Sequence, residues 1–301
     1  MPAWALASAV PLALVIDRAF GEPPAWAHPV VAMGRCLGPV GPWLTSLPPA
    51  LAFAAGSAAW LAGASIAVGL AVGADAALTL LPWPLGLLAL ALLLKPLLSW
   101  RMLRNEVAAV DAVLGDSLQA GRERLKRLVS RDVDTLDAGA VRESAIESLA
   151  ENLNDSLVAP LFWFAVAGLP GAALYRFANT ADAMWGYRGR WEWAGKWAAH
   201  ADDLLSWLPA RLTAVLLCAA AWRWPGLPIL VAQARRTPSP NGGWPMGAMA
   251  LLLGVRLGKP GVYLLNDGGA VPEPHHTRQA LRWSQRAVWL AGAAAWLGAL
   301  R

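Results

Sequence analysis

Four carboxylates recur at every fourth position in the middle of the chain and are the residues best suited to chemistry. They are Glu143, Glu147, Glu151 and Asp155. Positions four apart on an α-helix lie on nearly the same face, so these side chains would form one drifting stripe. Like charges at this spacing repel each other, and Mg²⁺ shared with substrate phosphate oxygens would relieve the repulsion. The spacing leaves one alternative open, a solvated acidic face with Arg142 as its partner.

A second polar cluster surrounds a Trp-rich turn between residues 185 and 197. Its members are Asn179, Asp182, Tyr187, Lys196, His200, Asp202 and Asp203. Carboxylates and cations at one membrane interface suit a phosphate group that a metal ion bridges to the protein. Asp202 could instead form a structural ion pair with Arg211, and the residue types do not decide between the two.

Two further loops contain candidate functional groups. The first loop combines Asp17, Glu22 and His28 with a rigid Pro-Pro turn. A histidine has an ordinary pKa of about 6.5 and can act as a base, although a lone histidine more often has a structural hydrogen-bonding role. The last polar loop contains Arg236 and a Ser239-Pro-Asn-Gly-Gly turn, whose guanidinium and backbone N–H groups suit an anion.

These polar groups belong to a chain that is far more apolar than an ordinary soluble domain. Of its 301 residues, 57% are hydrophobic and 15% are charged, and the mean hydropathy is +0.43. Many of the 18 Trp residues lie beside apolar runs, where an amphipathic ring prefers the membrane–water boundary. The net charge of +5 is typical of cytoplasmic Lys and Arg and does not indicate nucleic-acid binding. The composition therefore predicts an integral membrane protein.

The apolar runs predict an all-α, polytopic membrane protein with about five to six membrane segments. The expected segments are residues 1–16, 47–73, 76–100, 156–174, 204–222 and 287–300. Residues 1–16 lack the positive start of a signal peptide, so we expect them to be retained as a first span. Residues 47–73 and 76–100 should form a helical hairpin with Asp75 in the turn between them.

The segment 156–174 should be broken, because Pro160 and the run Gly168-Leu169-Pro170-Gly171 interrupt it. A kinked span and a re-entrant hairpin both fit this pattern. If the segment crossed fully, the loop at 175–203 would lie opposite the polar region at 101–155, and their motifs could not meet. We therefore predict that it is re-entrant or partly unwound and that all motif loops face the cytoplasm.

Residues 101–155 differ from the apolar segments around them. They contain eight Lys or Arg between 101 and 142, with apolar residues at helical spacing. By the positive-inside rule this region is predicted to be a mainly helical cytoplasmic excursion. Since no repeat and no long linker divides the chain, we expect one membrane domain over residues 1–301.

Six groups of motif residues, in their order along the chain, resemble the CobD/CbiB family of adenosylcobinamide-phosphate synthases. They are Asp17 with Gly21-Glu22-Pro23-Pro24 and His28-Pro29; Ser130-Arg131-Asp132; Glu147 with Glu151-Asn152, Asp155 and Ala159-Pro160-Leu161; Asn179-Thr180, Asp182 and Gly186-Tyr187; Asp202-Asp203 with Pro209-Ala210-Arg211-Leu212-Thr213; and Ser239-Pro240-Asn241 with Gly243-Trp244-Pro245. The similarity covers about residues 10 to 265. The His275-His276 region matches nothing in the family pattern.

The resemblance implies an amide-forming ligase of cobalamin biosynthesis. It would join adenosylcobyric acid to an aminoalcohol phosphate such as (R)-1-amino-2-propanol O-phosphate, with ATP and Mg²⁺ as expected cofactors. The implied location is the bacterial inner membrane, with the active site facing the cytoplasm. Implied partners are the two substrates, the lipid bilayer, and further copies of the chain or other enzymes of the pathway.

The residue types and the implied chemistry together give three sets of expected site residues. The expected metal ligands are Glu147, Glu151, Asp155, Asp182, Asp202 and Asp203. The expected catalytic residues are Asp17, Glu22 and His28, with His28 as base. The expected substrate or phosphate contacts are Arg131, Asn152, Asn179, Tyr187, Lys196, Arg211, Arg236, Ser239 and Asn241.

Two other classes of membrane protein share some of these features. A prenyltransferase also holds Mg²⁺-diphosphate with Asp and Asn clusters at helix ends, but it requires more spans than this chain offers. A transporter also contains broken helices near polar residues, but it requires two similar halves with matched interruptions, which the sequence does not show.

Overall fold

A computed structural model describes residues 3–300 as two compact units. Unit 1 comprises residues 3–99, 159–206 and 292–300, and unit 2 comprises Trp100–Val158 and Trp207–Ala291. The secondary structure is almost entirely helical. The α-helices are α1 (Ala3–Phe20), α2 (Pro29–Leu37), α3 (Val40–Leu44), α4 (Pro49–Leu78), α5 (Trp83–Leu94), α6 (Trp100–Asp116), α7 (Leu118–Leu125), α8 (Ala138–Leu153), α9 (Ala159–Trp185), α10 (Lys196–Ala221), α11 (Leu227–Ala234), α12 (Gly243–Leu253) and α13 (Pro274–Ala299).

Short irregular elements complete the description. Lys95–Leu97 and Gly189–Trp191 are 3₁₀ turns, and Asn154–Val158 is a π-helical turn between α8 and α9. Strands β1 (Leu257–Lys259) and β2 (Tyr263–Leu265) form an antiparallel hairpin within unit 2.

Within residues 3–300, four helical stretches are long and apolar enough to cross a membrane. They are Pro49–Leu78, Trp83–Asp116, Ala138–Trp185 and Lys196–Ala221, and the shorter Gly243–Leu253 is also apolar. The predicted fold class, a helical multi-pass membrane protein with some broken segments, is confirmed. The two terminal segments that the sequence predicts as spans are helical, as α1 and α13, but they are not among these four.

Helices α1 and α5 of unit 1 lie side by side and run in the same direction. At one end, the Trp4 and Trp83 rings meet edge to face with centroids 5.0 Å apart. At the other end, Asp17 lies 3.6 Å from Lys95, which directly follows α5. Because both ends of the two helices are matched, this packing fixes where the charged groups lie.

Helix α4 packs one face against α9 and leaves the other face uncovered. Trp60 and Phe177 meet edge to face inside unit 1, with ring centroids 5.9 Å apart. On the outer face, Leu61, Ile66 and Leu70 are all more than half exposed. A wide apolar surface of this kind is unfavourable in water and is expected where a helix faces lipid.

The hairpin of α4 and α5 is present, but its turn is not where the sequence predicts it. Asp75 lies inside α4, and the turn comprises residues 79–82. The prediction used the charge of Asp75 to locate the turn. The prolines that begin α5, Pro82 and Pro84, determine the boundary instead, because proline favours the first positions of a helix.

The break predicted in the segment 156–174 is also present. Within α9, Ala167 and Gly168 have non-helical backbone angles, and Gly168 has a φ of 63°. Glycine adopts this conformation without the steric penalty that other residues incur. Whether the segment is re-entrant remains a prediction.

The acidic stripe does not continue to its predicted end. Asp137 caps α8 by accepting a hydrogen bond from the Ala140 backbone N–H, and Glu143, Glu147 and Glu151 follow on one face. Asp155, however, lies in the π-helical turn, which contains more residues per turn than an α-helix. The α-helical spacing therefore does not apply to Asp155, and the stripe comprises the three glutamates.

Candidate functional site

A cavity of about 310 Å³ lies within unit 2, next to the acidic face of α8. Three other segments complete its wall: the turn after α7, the loop before α12, and the β1–β2 hairpin. The lining residues with polar side chains are Ser130, Arg131, Glu147, Ser148, Glu151, Thr237, Ser239, Lys259 and Tyr263. The cavity thus brings together four sequence-predicted residues, Arg131, Glu147, Glu151 and Ser239, with residues that the sequence analysis did not select.

Glu147 is held by two partners on opposite sides of its carboxylate. Arg131 Nη2 lies 3.3 Å from Oε2, and the Tyr263 hydroxyl donates to Oε1 at 2.5 Å. Burial and the nearby Glu147 charge raise the pKa of Tyr263, so its hydroxyl remains protonated and acts as the donor. Glu147 is therefore a fixed, neutralised wall of the cavity.

Glu151 differs from Glu147 because no protein group neutralises it. Within residues 3–300, its carboxylate has neither a hydrogen bond nor an ion pair. Lys259, across the cavity wall on the hairpin, also makes no ion pair in this part of the chain. In addition, Nη1 of Arg131 is buried and has no hydrogen-bond partner among the described residues. An enclosed polar atom normally finds a partner, so Arg131 Nη1 suits a bound ligand, and the partly buried Glu151 and the exposed Lys259 lie with it on the cavity wall.

The loop before α12 holds the remaining wall in place. Ser239 Oγ accepts hydrogen bonds from the backbone N–H groups of Asn241 and Gly242 at 3.1 and 3.2 Å. Thr237 Oγ1 donates to the Ser239 carbonyl at 2.9 Å. A Cβ atom on Gly242 would lie 3.3 Å from Glu151 Oε1, so this backbone approaches the free carboxylate closely.

Arg211 and Asn241, two predicted phosphate contacts, bind each other within unit 2. Arg211 Nη1 donates to Asn241 Oδ1 at 3.2 Å and to the Trp207 carbonyl. Its guanidinium lies over the rings of Trp207 and Trp244, 4.2 and 4.8 Å from their centroids. This stacking holds the Arg211 guanidinium in an orientation in which it could bind an anion, but Arg211 does not line the cavity.

Other predicted residues of unit 2 are engaged elsewhere. Arg236 donates to the Leu264 carbonyl at 3.0 Å, toward the hairpin, and Asn152 Nδ2 donates to the Ser148 carbonyl of its own helix at 2.9 Å. Asp155 accepts a hydrogen bond from Asn154 Nδ2 at 2.8 Å. Their predicted roles stay predictions.

The alternative of a solvated stripe with Arg142 as its partner is wrong. Arg142 pairs with Asp111 at 2.9 Å, and Glu143 pairs with Arg256 at 2.8 Å. Glu143 and Glu147 are both buried. Each glutamate of the stripe therefore has its own environment, and only Glu151 is left for a partner from outside the protein.

Unit 1 contains a second charged group, which we call the Lys95 cluster: Asp17, Glu22, His28 and Lys95. Lys95 Nζ lies 2.8 Å from Glu22 Oε2 and 3.6 Å from Asp17 Oδ1, and its side chain is only 5% exposed. Burial alone would raise the pKa of Glu22, but hydrogen bonds from His28 and Lys95 outweigh it and lower the pKa. The cluster is therefore an internal ion-pair network.

Both ring nitrogens of His28 are occupied. Nδ1 accepts from the Val30 backbone N–H at 3.3 Å and caps α2, while Nε2 lies 3.2 Å from Glu22 Oε2. An accepting Nδ1 requires the proton of neutral imidazole to be on Nε2, so Nε2 donates to Glu22. The predicted role of His28 as a base stays a prediction, although the geometry assigns it a structural role.

The second polar cluster also lies in unit 1. Asn179 Nδ2 lies 3.5 Å from Asp202 Oδ1, so the C-terminal part of α9 lies close to the N-terminal part of α10. The Lys196 ammonium lies over the Trp193 ring, 4.5 Å from its centroid, and Tyr187 is half exposed. Asp182 and Asp203 are both partly buried.

Within residues 3–300, no three His, Cys, Asp or Glu side chains are grouped closely enough to form a metal site by themselves.

Among the polar residues that sequence reasoning missed are Lys95, Lys259 and Tyr263. Lys95 has a clear signal, because it is a single cation at the end of an apolar run. For the hairpin residues the signal is weaker, and consists of the Pro260-Gly261 turn between them. No pattern in the sequence shows that this hairpin lies against α8.

The apolar helices and the broken α9 define a multi-pass helical membrane protein, and its unit 2 contains a polar cavity. The CobD/Cbib protein family model matches residues 10–290, and the chain belongs to this family. It is 39% identical over 306 residues to the cobalamin biosynthesis protein CobD of Chromobacterium violaceum, with 93% of each chain covered.

Other relatives give the same result. The chain is 39% identical over 265 residues to the probable cobalamin biosynthesis protein CobD of Methanothermobacter thermautotrophicus, with 85% of each chain covered. It is 38% identical over 269 residues to the cobalamin biosynthesis protein CobD of Brucella suis, covering 84% of this chain and 81% of the relative. No solved structure matches the fold.

Proposed function

We propose that this protein is the amide-forming ligase that joins adenosylcobyric acid to an aminoalcohol phosphate and gives adenosylcobinamide phosphate. Membership of the CobD/CbiB family supports the pathway. The cavity of unit 2 is the observation that carries the reaction class, because it combines unpaired cationic groups with an unpaired carboxylate. The reaction would occur at the cytoplasmic side of the bacterial inner membrane, where ATP is available.

The cavity supports a phosphate-bearing substrate in particular. Arg131 Nη1 and Lys259 both lack a protein acceptor within residues 3–300. Charge-assisted hydrogen bonds from guanidinium and ammonium groups are the usual contacts of a phosphate. Fixing the phosphate end of the substrate would hold its amine in one position, and such positioning supplies a large part of the rate enhancement in two-substrate reactions.

ATP belongs to the proposal for a chemical reason. A carboxylate and an amine do not condense to a useful extent in water unless the carboxylate is activated. No motif of a familiar nucleotide-binding fold is present in the sequence, since it contains neither a Walker-A spacing nor a G-x-G-x-x-G run. ATP would therefore bind through groups specific to this family.

Magnesium fits one of the predicted ligand sets better than the other. In the cavity, both oxygens of Glu147 are engaged by Arg131 and Tyr263, which leaves a single carboxylate beside two cations. In unit 1, Asp202 offers a carboxylate beside the Asn179 amide, and Mg²⁺ usually takes one or two carboxylates together with phosphate oxygens. We therefore propose that Asp202 would hold Mg²⁺, which would neutralise phosphate charge.

The test is conversion of substrates by the purified full chain in detergent. Adenosylcobyric acid, ATP, Mg²⁺ and each of several aminoalcohol phosphates are incubated with the protein, and the products are analysed by mass spectrometry. We expect the amide product, and none when ATP or protein is omitted. Absence of the amide with every aminoalcohol phosphate, from protein that remains monodisperse, would refute the proposal.

A further inference from the structure

The charges around the cavity are of both signs, and this limits what can bind. Arg131 and Glu147 neutralise each other, while Lys259 and Glu151 face the cavity without a partner among the described residues. A simple anion would leave Glu151 without a partner, and a simple cation would be repelled by Lys259 and Arg131. A molecule with separated positive and negative groups would satisfy both sides.

The size of the cavity limits the ligand further. Its volume of about 310 Å³ is near the lower limit for small-molecule sites and equals the space of about ten water molecules. A corrinoid ring does not fit in this space. The phosphate ester of a short aminoalcohol does.

We infer that this cavity is a zwitterion site, in which Arg131 and Lys259 bind the phosphate of an aminoalcohol phosphate and Glu151 binds its ammonium. The inference rests on the proposed function only for the identity of the zwitterion. It assigns Glu151 to the amine of the substrate and not to a metal ion.

The geometry of the neighbouring groups explains why one carboxylate is sufficient. A primary ammonium has three N–H donors and can use a single carboxylate together with hydroxyl or carbonyl oxygens. Thr237 supplies such an oxygen in the same wall, because its Oγ1 donates to the Ser239 carbonyl and can still accept a hydrogen bond. Mg²⁺, in contrast, gives up its water reluctantly and requires near-octahedral oxygen ligands, which a site with two cations and one free carboxylate does not offer.

Lys259 and Tyr263 extend this assignment to the hairpin. They are paired directly across β1 and β2, so their side chains project from the same face of the hairpin into the cavity. Lys259 is therefore a phosphate-binding residue. Tyr263 is a positioning residue, because it acts by holding Glu147 against Arg131.

The experiment measures binding by calorimetry to the full chain in detergent, without ATP, Mg²⁺ or corrinoid. The probes are O-phosphoethanolamine, ethyl phosphate and ethanolamine, which form a matched series with both charges, the phosphate alone and the amine alone. We expect O-phosphoethanolamine to bind about tenfold more tightly than ethyl phosphate, because it adds one charge-assisted contact to Glu151. Equal affinity for these two probes would overturn the inference without any variant.

Variants then assign the contacts. Glu151→Gln should lower the affinity for O-phosphoethanolamine to that of ethyl phosphate while ethyl phosphate binding is retained. Lys259→Gln should weaken both phosphate probes by a similar factor. Lys126→Gln is the matched control, because Lys126 is exposed in unit 2 and pairs with Glu123 and Asp134, and it should change neither affinity.

Repeating the titrations with Mg²⁺ separates the two candidate cations. If Glu151 held a metal ion, Mg²⁺ would tighten ethyl phosphate binding in the wild type and not in Glu151→Gln, and the inference would be wrong. The binding data are also independent of catalysis. Binding of O-phosphoethanolamine with no amide product would refute the proposed function alone, while amide formation without selectivity for the amine would refute the zwitterion site alone.

Discussion

The Lys95 cluster of unit 1 and the cavity of unit 2 contain similar residue types in opposite states. In the Lys95 cluster, the cation of Lys95 lies between Asp17 and Glu22, and His28 supports Glu22. In the cavity, the charges of Glu151 and Lys259 have no protein partner within residues 3–300. A charge that is enclosed and neutralised contributes to folding, whereas one that lines a cavity unpaired is available to a ligand.

The Lys95 cluster and the cavity look alike in the sequence, but the structure gives their charged residues different partners. Both sites consist of carboxylates and cations at the ends of apolar helices, and both contain residues predicted to be functional. The partners of each charge distinguish them. The cluster should therefore respond to mutation mainly through stability, and the cavity mainly through binding.

The largest effect should come from Lys95→Met. The change removes the ammonium beside the buried Asp17 and the partly buried Glu22, and breaking a buried ion pair costs about 3–5 kcal/mol. We expect a large fall in the thermal unfolding temperature of the detergent-solubilised protein. A well-folded Lys95→Met protein that binds O-phosphoethanolamine normally but forms no amide would show that the cluster is catalytic, and the comparison would fail.

A smaller effect should appear at acid pH through Glu22. The folded state holds the pKa of Glu22 below its ordinary value of 4.5, so the stabilisation is fully present above that value and is lost as the pH falls through the folded pKa. The wild type should lose thermal stability across this range, and Glu22→Gln should lose less. Parallel unfolding curves for the two proteins at every pH would contradict a folding role for this carboxylate.

The smallest effect should come from Gly242→Ala. The added Cβ would lie 3.1 Å from Met246 Cε and 3.3 Å from Glu151 Oε1, and crowding of this kind costs about 1 kcal/mol. The expected result is a several-fold loss of affinity for O-phosphoethanolamine with little change in unfolding temperature. Gly115→Ala is the control, since a Cβ there meets no atom within 4 Å. If the two variants bind alike, the loop does not constrain Glu151.

The sequence predicts local helical features well, but it does not predict which distant side chains contact each other in the fold. Helical spacing predicts four carboxylates on one face, of which the three glutamates lie on α8, and the Gly-Leu-Pro-Gly run predicts the break in α9. The π-helical turn that removes Asp155 from the stripe could not be predicted, because the carboxylates have the same spacing in the sequence whether the α-helix continues or widens into a π-turn. Propensity gives no signal for such a turn.

The division of roles among the charged residues was also beyond the sequence. Glu147 and Glu151 are one turn apart and chemically identical, yet Glu147 pairs with Arg131 and Tyr263, whereas Glu151 has no such partner within residues 3–300. Tyr263 is separated from Glu147 by more than a hundred positions, so only the folded chain brings them together. The same non-local packing explains why Lys259 was missed.

The hairpin has one more consequence, which concerns its length. Lys259 and Tyr263 flank a turn of three residues, Pro260-Gly261-Val262, in which Gly261 has a φ of 72° and the Val262 N–H donates to the Lys259 carbonyl at 3.0 Å. Adding or removing a single residue here would shift the strand register and turn one of the two side chains to the opposite face. Many substitutions within the turn would leave this alignment intact. The spacing between Lys259 and Tyr263 is therefore constrained more tightly than the identity of the residues between them, so insertions and deletions should be the rarest changes at this point of the chain.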